Sequence, residues 1–301
     1  MSNKIIVIVG PNASGKTDLS IKLAKKFKGE IVSADSRQVY KRMDIGTGKA
    51  TKKERQGIPH HLLDVVSPKT RFNVVKYRKL AIRAIEKIQE KNKLPILVGG
   101  TGFYIQAVID GVIIPPVKPD WRLRKKLEKK TNQELFKMLK KLDPNRAETI
   151  EKDNPRRLIR ALEIVIKTKK PVPPLQAQPP KFEILMIGVK RNQEELRKRI
   201  EKRLLKRLKN GLIAEVKKLH NPPAGGGVSW KKLEEFGLEY RYIAFFLQGK
   251  LTEQEMIERL QKEIERYAKR QMTWFKKDKR IHWISGYNQA VKIIKKAKPG
   301  F

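Results

Sequence analysis

Eight residues near the amino terminus, Gly10-Pro11-Asn12-Ala13-Ser14-Gly15-Lys16-Thr17, follow the spacing G-x-x-x-x-G-K-[ST]. Glycines at those positions let the backbone curl until several N–H groups converge on phosphate oxygens. Lys16 adds neutralising charge, and the Thr17 hydroxyl is placed to ligate a magnesium ion. The spacing means most when it joins a buried strand to a helix. Lys4 to Val9 is a β-branched run, and Asp18 to Lys28 spaces Leu19, Leu23 and Phe27 four residues apart, so strand, loop and helix follow in order. Such a loop reads charge and geometry and leaves open which phosphate ester it holds.

Two further features belong to the same chemistry. Glu30 to Ser33 reads as a second short strand that delivers Asp35-Ser36-Arg37-Gln38 at its carboxyl end, the edge where open α/β sheets bind ligands. A carboxylate there can accept a proton, or else cap a helix or pair with a surface cation. The apolar strand Leu94 to Val98 runs into Gly99-Gly100-Thr101-Gly102. A nucleotide hydrolase or kinase places a magnesium-organising Asp at such a strand end. Here a small hydroxyl and bare backbone stand in its place, which argues against ordinary ATP hydrolysis. Asp64, after Leu62-Leu63, is the rival acid, on a much shorter run.

The elements that must position these groups alternate between strand and helix. Val74 to Gln89 reads as a helix between the second and third strands, and Phe182 to Val189 as one more buried strand. This implies a parallel α/β sheet with right-handed crossovers and both faces covered. Between them the pattern changes: Trp121 to Lys169 is helical and basic, with turn signals at Asp143-Pro144 and Asn154-Pro155. Residues 171 to 180 then hold five prolines, an extended connector. Residues 116 to 180 are therefore read as a helical insertion between the two halves, 1 to 115 and 181 to 301, of an α/β core. Gln193 to Lys218 and Thr252 to Lys276 read as long helices, with Gly225-Gly226-Gly227 as a loop between them.

The chain has 301 residues, no cysteine, and 70 Lys+Arg against 31 Asp+Glu, a net charge of +39. Zero cysteine excludes disulfides, thiolate metal sites and cysteine nucleophiles, and fits a reducing cytoplasm. The first apolar run is too short for a signal-peptide core, and no stretch has the length of a membrane span. Charge of this size attracts polyanions, nucleic acid first among them, and opposes self-association, so a monomer is expected. The four histidines, His60, His61, His220 and His282, have no metal-ligand company, and His60-His61 reads as shaping a loop.

Several longer runs carry a resemblance: Asp35 to Tyr40, Met43 to Lys49, Pro59 to Asp64, Val98 to Tyr104, Arg157 to Glu163, and Tyr267 to Phe275. Their order and spacing resemble the bacterial tRNA dimethylallyltransferase family over nearly the whole chain. The resemblance implies a P-loop NTPase-like parallel sheet with a helical insertion and C-terminal basic helices. It implies transfer of a dimethylallyl group from dimethylallyl diphosphate to the exocyclic N6 amine of the adenosine 3′-adjacent to the anticodon, in tRNAs reading U-initial codons. Mg2+ bound by Thr17 is the implied cofactor.

By the same resemblance Asp35 is the general base and Thr101 contacts the leaving diphosphate. Contacts to the tRNA anticodon stem-loop fall on Asp35, Ser36, Arg37, Gln38, Arg124, Arg156, Arg157, Leu158, Ile159 and Arg160. They extend to Lys269, Arg270 and Gln271 in the last long helix, and Arg199 and Arg203 match a family R-I-x-x-R helix. On that last helix Arg270 and Trp274 share a face by four-residue spacing and Gln271 is offset; Trp274 is either core or a base-stacking ring.

Other classes fit less. A small-molecule kinase would need an acid where Gly99-Gly100-Thr101 stands. A non-catalytic RNA-binding protein explains the charge and leaves Asp35 beside an intact phosphate cradle unexplained. An enzyme prenylating free adenine nucleotides would not need the helical insertion or the basic helices.

Overall fold

Why the chain turns into a sheet is clearest at β1 (Lys4–Val9), where five consecutive apolar residues are buried on both faces of the sheet. In the computed structural model, which describes residues 3–174, 176–178, 181–223 and 225–297, it pairs in parallel with two neighbours. Ile6 sits opposite Ile96 of β4 (Leu94–Gly99) and opposite Leu185 of β5 (Glu183–Val189). With β2 (Gly29–Ala34), β3 (His60–His61) and β6 (Ile281–Ile284), they form one all-parallel sheet in the order β3-β2-β4-β1-β5-β6.

Alternation along β1 feeds two cores. Ile5, Val7 and Val9 pack with Tyr77 and Ile85 of α3 (Val74–Glu90) and Ile105 of α4 (Gly102–Ile109). Ile6 and Ile8 pack with Leu19 and Leu23 of α1 (Lys16–Lys26) and with Ile294 of α14 (Tyr287–Lys296). A third core joins α9 (Gln193–Lys209), α10 (Leu212–His220), α11 (Trp230–Phe236), α12 (Leu238–Leu247) and α13 (Glu253–Phe275) around Met43, Tyr240 and Leu260. The short α2 (Lys52–Arg55) is closed by a Thr51–Glu54 capping box.

Residues Val112–Gln178 form a separate compact unit. It contains α5 (Trp121–Leu127), α6 (Asn132–Leu142), α7 (Pro144–Thr149) and α8 (Pro155–Thr168), with Leu135, Leu139, Leu158 and Leu162 in its own core. Asp143 and Asn154 cap the two helices that begin at prolines. The unit read from the sequence spans 116 to 180; Leu175, Pro179 and Pro180 of its proline-rich end lie outside the described residues.

The parallel α/β class matches the expectation. The single helix expected over Gln193 to Lys218 is instead two, because Gly211 adopts φ 92° and the chain restarts as α10. β6, only four residues long, and α14, which buries Ala290 and Ile294 four residues apart, are not among the elements read from the sequence.

Candidate active site

Parallel strands release their chains at one edge, and β1, β2 and β4, which are neighbours, bring three loops together there. After β1, Gly10 has φ 154°, and a Cβ on it would lie 2.8 Å from the Val189 carbonyl. Gly15, with φ 91°, is the N-cap of α1. The amides of Gly15, Lys16 and Thr17 thus open a helix with no carbonyl one turn earlier to receive them. Lys16 Nζ donates to the Pro11 carbonyl at 3.0 Å, and among the described residues the buried Ser14 hydroxyl has no hydrogen-bond partner.

Cationic charge crowds this loop. Burial, then Arg203, pull the Lys16 ammonium down to about 8, against an opposing pull from Asp35. Burial, then Arg207, bring Arg203 down to about 10. Among the described residues neither Lys16 nor Arg203 has a carboxylate at ion-pair distance, whereas Arg207 pairs with Glu239 at 2.6 Å. Arg191 closes the far side, donating to the carbonyls of Ser14 (3.2 Å) and Ser285 (2.7 Å). An anion seated at the loop would restore the ammonium and relieve the cationic crowding.

After β2, Asp35 Oδ1 accepts from the amides of Arg37 (2.8 Å) and Gln38 (3.3 Å). Among the described residues its second oxygen takes no hydrogen bond. Thr101, after β4, is laced to the same turn: its amide donates to the Ala34 carbonyl at 3.2 Å and its Oγ1 accepts from the Ser36 amide at 3.1 Å. The carboxylate faces phenols that stay neutral. Burial, then Asp35, push Tyr267 up to about 12, and burial, then Tyr40, raise Tyr104 with Asp35 adding to the effect. Tyr104 stacks on Tyr77 at 4.2 Å, and the Tyr77 hydroxyl donates to the Ser33 carbonyl at 3.0 Å.

Other residues singled out in the sequence fall as follows. Gln38 bridges the Ser33 hydroxyl and the carbonyls of Thr47 and Gly48, and Arg37 donates to the Phe236 carbonyl at 2.8 Å. Asp64 is a structural acid, paired with buried Lys49 at 2.6 Å. His61 pairs with buried Glu30 at 2.7 Å, and no cluster of metal-binding side chains occurs among the described residues. Lys269 and Arg270 lie on the exposed side of α13.

Three assignments to tRNA contact need correction. Leu158 and Ile159 are buried in the core of the helical unit, because α8 turns its apolar face inward, so their side chains present nothing to RNA. Gln271 is 5% exposed and faces the loops: its Oε1 accepts from the Asn12 amide at 2.8 Å and its Nε2 donates to the Gly100 carbonyl at 2.9 Å. In the helical unit Arg124 pairs with buried Glu163 at 2.6 Å, Arg160 pairs with it as well, and Arg157 pairs with Glu151 at 2.9 Å. Arg156 is exposed. Trp274 is neither fully core nor free, being 37% exposed with its indole packed on Gly102.

Sequence reasoning missed Glu215. Its carboxylate accepts from the amides of Asp44 (2.8 Å), Ile45 (2.7 Å) and Gly46 (3.0 Å) and from the Tyr240 hydroxyl (2.8 Å). It fixes the turn whose carbonyls hold Gln38, and an isolated Glu within a helix gives no sign of this in one dimension. For a metal, the Thr17 hydroxyl makes no hydrogen bond among the described residues and no protein cage surrounds it. This donor set suits magnesium, which keeps several waters and takes other ligands from phosphate oxygens.

With the geometry in place, comparison with known proteins adds a second line. A family model described as IPP transferase matches residues 38–278. The tRNA dimethylallyltransferase of Acetivibrio thermocellus is 42% identical over 306 residues, covering 98% of this chain and 96% of its own length. That of Carboxydothermus hydrogenoformans is 42% identical over 305 residues, with coverage of 98% and 96%. Among solved structures, the full-length tRNA isopentenylpyrophosphate transferase of Bacillus halodurans superposes with a TM-score of 0.70 at 37% identity, covering 98% of this chain and 94% of that one. A eukaryotic dimethylallyltransferase acting on tRNA superposes with a TM-score of 0.77 at 29% identity, covering 96% of this chain and 75% of that one.

Proposed function

The chain belongs to the IPP transferase family, and from that premise we propose that it moves a dimethylallyl group from dimethylallyl diphosphate to the N6 amine of the adenosine 3′-adjacent to the anticodon, in tRNAs reading U-initial codons. The observation that carries this reading is the pairing of a crowded cationic loop after β1 with Thr101 and the open oxygen of Asp35, where a nucleotide hydrolase would hold a metal-organising acid.

The donor's diphosphate lies on the amides that open α1, with Lys16 and Arg203 meeting the negative charge that grows as the allylic carbon–oxygen bond breaks. Thr101 Oγ1 already accepts from Ser36, so its own proton is available to a diphosphate oxygen. Magnesium held by Thr17 would supply further charge stabilisation to the leaving group. The N6 lone pair forms the new carbon–nitrogen bond, diphosphate departs with the electrons of the old bond, and the second oxygen of Asp35 takes the N6 proton. Neutral Tyr104 and Tyr267 exclude water from an allylic centre with cationic character.

An adenosine stacked in a loop must swing out to reach this edge, with basic helices holding the RNA backbone around it. A monomer in the cytoplasm fits the charge of +39 and the absence of cysteine. Incubation with dimethylallyl diphosphate, magnesium and unmodified tRNA gives dimethylallyladenosine by nucleoside mass analysis. If no tRNA reading U-initial codons yields it, the reading fails; if AMP outcompetes tRNA as acceptor, the enzyme acts on free nucleotides.

A further inference from the structure

Resting on the reading of residues 10 to 17 as the diphosphate cradle, we infer that Gln271 is a positioning residue for the transfer: it fixes the spacing between that cradle and the Gly100-Thr101 loop. Its primary amide hydrogen-bonds both, accepting from the Asn12 N–H at 2.8 Å and donating to the Gly100 carbonyl at 2.9 Å. The two loops leave adjacent strands, β1 and β4, whose pairing ends at Val9–Gly99. Beyond that point no ladder bond sets their separation, and the Gln271 amide spans the gap.

The glycines after β4 show how closely α13 approaches. A Cβ on Gly100 would collide with Gln271 Nε2, and one on Gly102 would collide with the Trp274 indole. Gln271 and Trp274 are three residues apart on one helical face, so this glycine run is the surface on which that face seats. The bond to Asn12 also occupies an amide that could otherwise turn to a phosphate, leaving the nest to the amides at the start of α1. Gly100 precedes Thr101, whose bonds to Ala34 and Ser36 reach the Asp35 turn. A shift of Gln271 therefore alters the distance from cradle to leaving-group contact, to which transfer rates are steeply sensitive.

The alternative role for Gln271 is direct contact with tRNA, and the two roles separate in the readouts. Calorimetric titration with inorganic diphosphate and magnesium, steady-state kinetics with dimethylallyl diphosphate, and filter binding of tRNA are run on the full chain and on Gln271→Met and Gln271→Glu. Loss of two neutral hydrogen bonds, one buried and one part-buried, in Gln271→Met is expected to weaken diphosphate roughly tenfold. The same variant raises KM for the donor and lowers kcat, while tRNA affinity stays within about twofold. Gln271→Glu keeps the volume and the acceptor for Asn12 but sets an oxygen against the Gly100 carbonyl and a negative charge beside the cradle, so it shows the same direction at larger size.

Gly100→Ala, which pushes on the same amide, reproduces the defect. Combined with Gln271→Ala it costs no more than either change alone, as expected of two residues acting as one unit. Wild-type diphosphate binding and kcat in Gln271→Met overturn the inference, as does tenfold weaker tRNA binding with donor parameters unchanged. A wild-type chain that fails to bind diphosphate overturns the proposed function instead.

Discussion

In the helical unit, Arg124 and Arg160 close on Glu163, whose carboxylate is buried and also accepts from the Asp120 amide. At the carboxyl edge of the sheet, Lys16 feels the charge of Arg203, and among the described residues neither has an acid in ion-pair reach. Burial alone would raise Glu163, but hydrogen bonds from Arg124, the Asp120 amide and Arg160 hold it below the usual carboxylate range. Burial of Lys16 is opposed only by the charge of Asp35, with Arg203 acting in the same sense as burial, and its ammonium is pulled down to about 8. The contrast separates cations that organise a fold from cations that await an anion.

The largest expected effect is at the proposed base, Asp35. Asp35→Asn keeps the acceptor for the Arg37 and Gln38 amides but removes the charge and the proton acceptor. We expect kcat to fall about a thousandfold, within the range for a general base, with tRNA affinity within about threefold by filter binding. A loss under tenfold would place proton removal elsewhere.

On the other side of the comparison, Glu163→Gln leaves two arginines facing a neutral amide inside the helical unit. Breaking a buried ion network in this way costs about 3 kcal/mol, read as lost hydrogen-exchange protection across residues 112–178. Inorganic diphosphate binding stays at the wild-type level. Acid acts in the same sense: Glu163 is depressed, so its contribution is present above the unfolded-state value and lost as pH falls through the lower folded one. An unchanged exchange pattern in the variant would make the triad a surface ornament.

Next in size is the pH dependence of the cradle. With Lys16 pulled down to about 8, the donor is expected to bind fully below that pH and to be lost above it, so kcat/KM for dimethylallyl diphosphate should fall roughly tenfold per unit on the alkaline limb. The linkage sign is opposite for stability. Between about 8 and 10.5 the unfolded chain binds the extra proton, so stability rises with pH there, and below 8 the ionised lysine carries its full burial cost. Lys16→Met should then raise the melting temperature by a few degrees while removing diphosphate binding. A lower melting temperature would mean that Lys16 is paired in the resting protein.

What could be read in one dimension follows the same division. The strand–loop–helix placement of residues 10 to 17 was legible because its signal is local: glycines, lysine and hydroxyl fall within eight consecutive residues between β1 and α1. The sheet was legible because β1, β4 and β5 are unbroken apolar runs. The roles of Glu163, Gln271 and Glu215 were not, because each is defined by partners 39, 171 and 259, or about 170 positions away. Helical spacing said that Gln271 lies off the Arg270–Trp274 face, and only the tertiary structure says what it meets. Gly211 was misread for a local reason, a left-handed residue inside an otherwise continuous helical pattern.

The smallest effect tests the two sides of α13 against each other. Arg270 is exposed, pairs with Glu263 at 2.7 Å and lies 5.8 Å from the centre of the Tyr267 ring. An exposed pair of this kind contributes little to stability, so exchanging Glu263 for an RNA phosphate would cost the arginine little. Arg270→Ala should weaken tRNA binding about two- to fivefold and flatten the slope of log affinity against log salt by roughly 0.7 to 0.9, the signature of one lost phosphate contact. Diphosphate binding by the free enzyme should not move. Its neighbour Gln271 is expected to show the reverse pattern, with donor parameters shifted and the salt slope intact. If both variants shift the same parameter, α13 has one function rather than an outward face for RNA and an inward face for the cradle.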